Sequence, residues 1–169
     1  ILFAPGERPL DVPPEFRWVS GDPTKESELD KVRIAHASAV IIVGSRGATP
    51  QIADATTILT AFTIRAHIGK HPTTRHRQRD LYIAAEILDE ENVDHARTAG
   101  ADEVIETTRL GFSMLAHAVV QRGTADIMAR ITAAGAHSLY VGTAPAGVIL
   151  PMPFGRLAAA RKKGHGVLA

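Results

Sequence analysis

Residues 81–120 read LYIAAEILDEENVDHARTAGADEVIETTRLGFSMLAHAVV, and they limit the fold more tightly than any other stretch. Leu81-Tyr82-Ile83-Ala84-Ala85 is a short apolar run containing β-formers, the pattern of a strand buried on both faces. Asp89-Glu90-Glu91-Asn92 follows, polar and rich in capping residues, and leads into a short helix over residues 93–98 stopped by Gly100. Residues 102–106 predict a second strand around Val104 and Ile105, and residues 110–120 a longer helix. Strand, short helix, strand, long helix is the grammar of a doubly wound α/β sheet, with this segment at a sheet edge and carrying its crossover.

The preceding residues extend the pattern. Residues 1–4 (ILFA) predict a strand ended by Pro5-Gly6, and the turn-rich stretch 9–14 breaks any helix. Residues 16–19 form a second short strand running into Ser20-Gly21-Asp22-Pro23-Thr24, a tight turn whose Asp or Thr can cap a helix over 26–32. That helix has its acids early and its bases late, as the helix dipole favours. Residues 39–43 (AVIIV) are the most apolar short run and predict a central parallel strand. After the loop 44–50, Ile58, Leu59, Phe62 and Ile64 fall near helical spacing in a long helix over 52–68.

The run AAEILDEENVDHARTAGADEVIETTRLGFSMLAHAV resembles the second half of an RCK domain (regulator of potassium conductance, also called KTN or TrkA-N), with its acid after a strand and a helix that swaps or packs across a dimer. Residues 53–65 and the turn Gly21-Asp22-Pro23-Thr24 resemble it too, and order and spacing agree over roughly residues 16–120. The resemblance implies a Rossmann-like doubly wound parallel sheet over 1–120. Residues 121–169, with the run PMPFGRLAAARKKGHGVLA, resemble the beginning of the smaller α+β C-terminal subdomain. Such domains open with a strand and a G-x-G-x-x-G turn that brings phosphate to backbone amides. No such motif occurs here, and Gly44-Ser45-Arg46-Gly47 has the wrong spacing. Residues 1–4 then correspond to the family's second strand. The first strand and glycine-rich turn are expected to lie outside this chain, which begins with Ile1 and is expected to be a piece of something larger. The acid that normally ends the second strand is missing as well, so dinucleotide binding by these residues alone is not expected.

Composition narrows the classes. A core of Ala, Val, Ile and Leu fits 45% hydrophobic content with only 5% aromatic, and a formal charge of +1 lacks the basic excess of a nucleic-acid binder. There is no cysteine, hence no disulfide frame, and no apolar run approaches the roughly 20 residues that span a bilayer.

Ligands of doubly wound sheets sit beyond the carboxyl ends of the strands. Those ends select Asp22, Ser45, Arg46 and Glu86 as candidate ligand-binding residues. Asp22 reads either as a turn and helix cap or, as the resemblance implies, an adenine or cation contact. Glu86, directly after an apolar strand, reads either as a structural partner or as a site residue whose Ala substitution weakens the regulator response with folding nearly intact. Calcium-gated members of the resembled family carry several carboxylates after the strand corresponding to 39–43; here Ser45-Arg46-Gly47-Ala48-Thr49 stands instead, with Asp54 the first acid. The acids 89–94 suit a solvated helix cap or a cation site across a dimer. The stretch 69–80 (GKHPTTRHRQRD) suits a solvated loop, an anionic partner or, least, a metal site. The ligand is left open between a divalent cation such as Ca2+ and a nucleotide.

No G-x-S-x-G elbow surrounds Ser38, Ser45, Ser113 or Ser138, and no reacting constellation is evident, so no enzyme is expected. The resemblance implies a ligand-sensing domain on the cytoplasmic side of a membrane, gating a potassium or other cation channel by conformational change. Its partners would be copies of itself in a dimer or a ring of four or eight, through helices 52–68 and 110–120, and a pore domain of the same full-length chain. A soluble nucleotide-binding subunit of a potassium uptake transporter and a fragment of an NAD-dependent oxidoreductase are the alternatives.

Overall fold

The structure is a computed structural model, described here over residues 1–70 and 80–132. The basic stretch around His71 and His76, and the strand and helix expected between 137 and 163, fall outside the described residues. The chain divides into two compact units, residues 1–113 and 114–169. The elements are β1 (Leu2–Ala4), β2 (Trp18–Ser20), β3 (Ala39–Ile42), α1 (Pro50–Lys70), β4 (Tyr82–Ile87), α2 (Val93–Thr98), β5 (Glu103–Glu106), α3 (Thr107–Val120) and α4 (Thr124–Thr132). All the described strands lie in the first unit.

Among the described residues every strand pairing is parallel. β1 pairs with β2, Leu2 opposite Trp18, and β3-β4-β5 form a second sheet with Ala39 opposite Tyr82 and Glu86 opposite Ile105. Parallel neighbours need crossovers, and α1 and α2 supply those of the second sheet. This is the mixed α/β, Rossmann-like architecture that the alternation of strand and helix patterns predicts.

Burial on β4 departs from expectation. Leu81, Ile83, Ala85 and Ile87 are fully buried while Tyr82 between them is half exposed, so the strand alternates. The reason is one-sided covering: α1 packs its Ala53, Thr57, Ala61 and Ile64 face on the sheet, and Ile41 (77% exposed), Tyr82 and Ile105 on the other face remain open. β3, expected to be central, is an edge of its sheet among the described residues. The core gathers Leu29, Ile34, Ile42, Ala61, Ile64, Leu81, Ile83 and Ala85 between α1 and the sheet.

The helix expected over 26–32 is 3₁₀ over Glu26–Val32, followed by a second 3₁₀ turn at Ile34–His36. Between them Arg33 adopts left-handed geometry (φ 54°), unusual for a residue with a Cβ. The break lets both Leu29 and Ile34 reach the core, which an uninterrupted helix would not place on one face.

Candidate functional site

At the carboxyl ends of β3, β4 and β5 one side chain ties three strands together. Glu86 Oε2 accepts a hydrogen bond from the Gly44 backbone N–H (3.0 Å), and its Oε1 accepts from Thr107 Oγ1 (2.9 Å). Gly44 follows β3, Glu86 is the penultimate residue of β4, and Thr107 begins α3 directly after β5. A carboxylate after an apolar strand is costly unless its oxygens find donors, and here both do. Glu86 thus links the loop after β3 to the first residue of α3.

A second carboxylate holds the chain just beyond the first. Asp54, on the sheet-facing side of α1 and fully buried, accepts from the backbone N–H of Leu88 (2.9 Å) on Oδ1. Its Oδ2 accepts from the N–H of Asp89 (3.0 Å) and from Asn92 Nδ2 (3.0 Å). It fixes the chain as it leaves β4, immediately beyond Glu86. Sequence reasoning noted Asp54 only as an acid arriving late. The available signal was its place in the stripe Ala53-Thr57-Ala61-Ile64, where a carboxylate has to find donors.

The opposite end of the sheet is pinned by Arg65. Its Nε donates to Gly100 O (2.8 Å), Nη1 to Leu81 O (2.8 Å) and Nη2 to Asp102 Oδ2 (2.6 Å), which also accepts from Ile83 N (2.7 Å). Gly100, at φ 105°, lies so close that an added Cβ would meet the Arg65 side chain.

Asp22 stays within its own turn. Its Oδ1 accepts from Thr24 N (3.0 Å) and Thr24 Oγ1 (2.6 Å), and its backbone N–H donates to Glu28 Oε2 (2.8 Å). The Thr24 hydroxyl, then the Thr24 amide, hold the Asp22 carboxyl below its ordinary range, so it is an anion that already has partners. The Asp22 amide does the same for Glu28, with Lys31 adding to it. Ser45 and Arg46 are exposed in the loop after β3, one and two residues past the Gly44 amide held by Glu86. Ser45, Arg46 and Glu86 thus share one strand end, whereas the hydrogen bonds of Asp22 serve the turn after β2. Asp89 caps the turn that follows β4, accepting from Glu91 N (3.1 Å), and Glu90 pairs with Arg109 (3.2 Å).

Exposed Ser45 and Arg46 beside a strand end offer a hydroxyl and a guanidinium, a donor set for phosphate or another oxyanion. Calcium takes six to eight oxygen ligands, most of them carboxylate or carbonyl. Of Ser45, Arg46 and Glu86 only Glu86 is a carboxylate, its oxygens already engaged, and Arg46 brings a cation two residues beyond Gly44; these residues do not fit calcium. No group of three or more His, Asp or Glu suited to a metal occurs among the described residues.

Comparison with known proteins bears on the family and the fold. The calcium-gated potassium channel TvoK of Thermoplasma volcanium is 31% identical over 114 residues, 66% of this chain and 30% of that protein. Two solved structures share its fold at 28% and 27% identity with TM-scores of 0.52 and 0.54: GsuK bound to ADP, matched over 70% of this chain and 27% of that one, and the GsuK RCK domain, over 75% and 24%. The chain therefore spans less than a third of the length of these relatives. The family described as the calcium-activated potassium channel slowpoke-like RCK domain matches residues 7–105, more than half of the sequence, and the chain belongs to the RCK domain family.

Proposed function

We propose that this chain is the ligand-sensing part of a potassium channel, converting occupancy of the strand end at Glu86 into movement of α3. The observation that supports this most directly is the pair of bonds from one carboxylate to Gly44 and Thr107. A ligand engaging the loop at Ser45 and Arg46 displaces or strengthens the Gly44 bond, and Glu86 transmits the change to the N-terminus of α3. It alters the balance between conformations only as far as it binds one better than the other: tenfold selectivity supplies about 1.4 kcal/mol. The work is conformational and not chemical.

The ligand favoured by the donor set is a nucleotide bearing phosphate, and a GsuK structure is titled as bound to ADP. Calcium is the second candidate because TvoK is described as calcium-gated, although the residues beside Glu86 do not suit it. The partners in this reading are further copies of the domain and the pore of a longer polypeptide, with the domain on the cytoplasmic side. No described helix is long and apolar enough to cross a membrane. α1 carries Ile52, Leu59 and Phe62 on the side away from the sheet, exposed at 60%, 49% and 60%, a stripe suited to a second copy.

Isothermal titration with ADP and, separately, with calcium chloride tests the reading. ADP is expected to bind, with affinity reduced at least about tenfold in Arg46→Ala, the loss of one charge-assisted contact. Hydrogen exchange at 107–110 should change on binding. Failure of ADP to bind, or binding that leaves the start of α3 untouched, would refute the proposal.

A further inference from the structure

Two consecutive residues of one helix hold the two loops that border Glu86. Ala53, fully buried in the first turn of α1, lies against the backbone of Gly44, where an added Cβ would stand 3.4 Å from the Ala53 methyl. The Ala53 N–H also donates to Thr49 O (2.9 Å), which closes the loop 44–49 onto the helix. The next residue, Asp54, turns both carboxylate oxygens to the other loop and takes three donors there, the N–H groups of Leu88 and Asp89 and the Asn92 amide. That loop is closed on itself as well: Asn92 N donates to Asp89 O (3.0 Å), and Glu91 N to Asp89 Oδ1 (3.1 Å). Glu86 stands between the two, with its Oε2 on the Gly44 N–H.

A buried carboxylate is a costly way to hold a loop. The three donors on Asp54 are neutral, so no ion pair among them repays the desolvation of the charge, and packing alone would be served by an apolar side chain. What the carboxylate adds is direction, because three acceptor bonds of 2.9 to 3.0 Å fix the loop in both position and rotation against the helix. β4 is strapped to α1 at both ends in this way. Arg65, about three turns further along α1, holds the residue before the strand through Leu81 O, and Asp54 holds the residue after it, Leu88. Ser45, Arg46 and Glu86 all lie at the Asp54 end.

We infer that Asp54 is the positioning residue of the ligand site. It makes α1 the common support of the loops on either side of Glu86, so the spacing between them, and with it the affinity for an anionic ligand, follows the placement of this helix. Asp54 touches no ligand and acts through the loop 88–92. The ligand rests on the function proposed above, whereas the mechanical link between the two loops does not. The outer face of α1 gains a route into the site, since exposed Ile52 immediately precedes the two anchoring residues.

The test uses the whole 169-residue chain. Asp54→Asn keeps the shape of the side chain and turns one acceptor into a donor that opposes the loop N–H groups. Arg65→Gln or Arg65→Met, whichever matches its urea midpoint, is the control, because it loosens the same strand at the other end. Without ligand, Asp54→Asn is expected to speed amide exchange at least about tenfold at Leu88 and Asp89 and also at Gly44, which Asp54 does not contact. The Arg65 variant should do so at 81–83 and 100–102 and leave Gly44 as in the parent. ADP affinity should fall at least about tenfold in Asp54→Asn and stay within about twofold of the parent in the stability-matched Arg65 variant. Asn92→Ala, which removes one of the three donors from a half-buried position, is expected to give the Asp54 pattern more weakly, and it serves where Asp54→Asn does not fold.

Faster exchange confined to 88–92 would overturn the inference, because the two loops would then move independently. An equal loss of ADP affinity in the two stability-matched variants would overturn it too, since Asp54 would then act only through global stability. If the parent does not bind ADP, the function proposed above fails, and exchange at Gly44 alone decides whether Asp54 links the loops.

Discussion

Glu86 and Asp54 show how differently two carboxylates register in a sequence. Glu86 is conspicuous because it ends an apolar run, and the sequence argument leaves it between structure and site. The geometry makes it structural at least: removing it strands the Gly44 N–H and the Thr107 hydroxyl together. Glu86→Ala is therefore expected to lower stability by about 1–3 kcal/mol, the cost of leaving partly buried donors unmet. That exceeds the nearly intact folding expected from sequence, and denaturant midpoints at constant slope would measure it. Glu86→Gln, which still accepts from Gly44, should recover most of the loss. Asp54 is invisible because its partners, Leu88, Asp89 and Asn92, stand 34 to 38 residues away. Asp54→Ala leaves those donors in a buried place and is expected to cost more than Glu86→Ala, about 3 kcal/mol or above. If the two substitutions proved equally mild, the loop after β4 would be held by something other than Asp54.

Elements were legible where period and punctuation agree. The apolar run after Ser38, the long pattern over 52–68 and the stop at Gly100 give β3, α1 and α2 within about two residues of their observed limits. What a single strand's pattern does not encode is which face a neighbouring element covers, so β4 reads as buried on both faces although Tyr82 is half exposed. α1 poses the same problem in reverse. It presents apolar residues all round, and the sequence cannot separate the face that meets the sheet from the stripe Ile52, Leu59 and Phe62. If that stripe pairs with a second copy, Leu59→Glu with Phe62→Glu should shift sedimentation toward the monomer and leave the thermal midpoint of the monomer nearly unchanged, because neither side chain contributes to the core. Parent and double variant sedimenting alike would remove α1 from the interface. Gly100→Ala belongs to this scale as well: left-handed φ and the nearby Arg65 side chain both oppose a Cβ, so the α2–β5 turn should lose about 1–2 kcal/mol or more.

At the scale of the molecule, the carboxylates held below their ordinary range cluster in one segment. Asp22 is held by Thr24, Glu26 by the Lys70 ammonium at 2.8 Å and then by His67, and Glu28 by the Asp22 amide and then by Lys31. All three lie where the chain leaves β2 and crosses over α1, and Lys70 and His67 belong to the last turn of α1. This segment therefore joins the first sheet to the helix that carries the second. Because the folded pKa values lie below the ordinary 3.8 for Asp and 4.5 for Glu, the unfolded chain takes up protons first as pH falls. The stabilisation is fully present above those ordinary values and is lost as pH drops through the lower folded ones. Urea midpoints should therefore be nearly level from pH 7 to about 5 and decline below about 4.5. The decline should be shallower in Glu26→Gln with Glu28→Gln, which removes two of the three titrations at neutral charge. These groups are only part-buried, which makes the effect sensitive to salt, so 0.5 M sodium chloride should flatten the Glu26 contribution, an ion pair to Lys70, more than that of Asp22, which rests on hydroxyl and amide donors. An acid limb with the same slope in parent and double variant would show that protonation elsewhere governs the unfolding, and that the crossover after β2 is not where this fold first gives way.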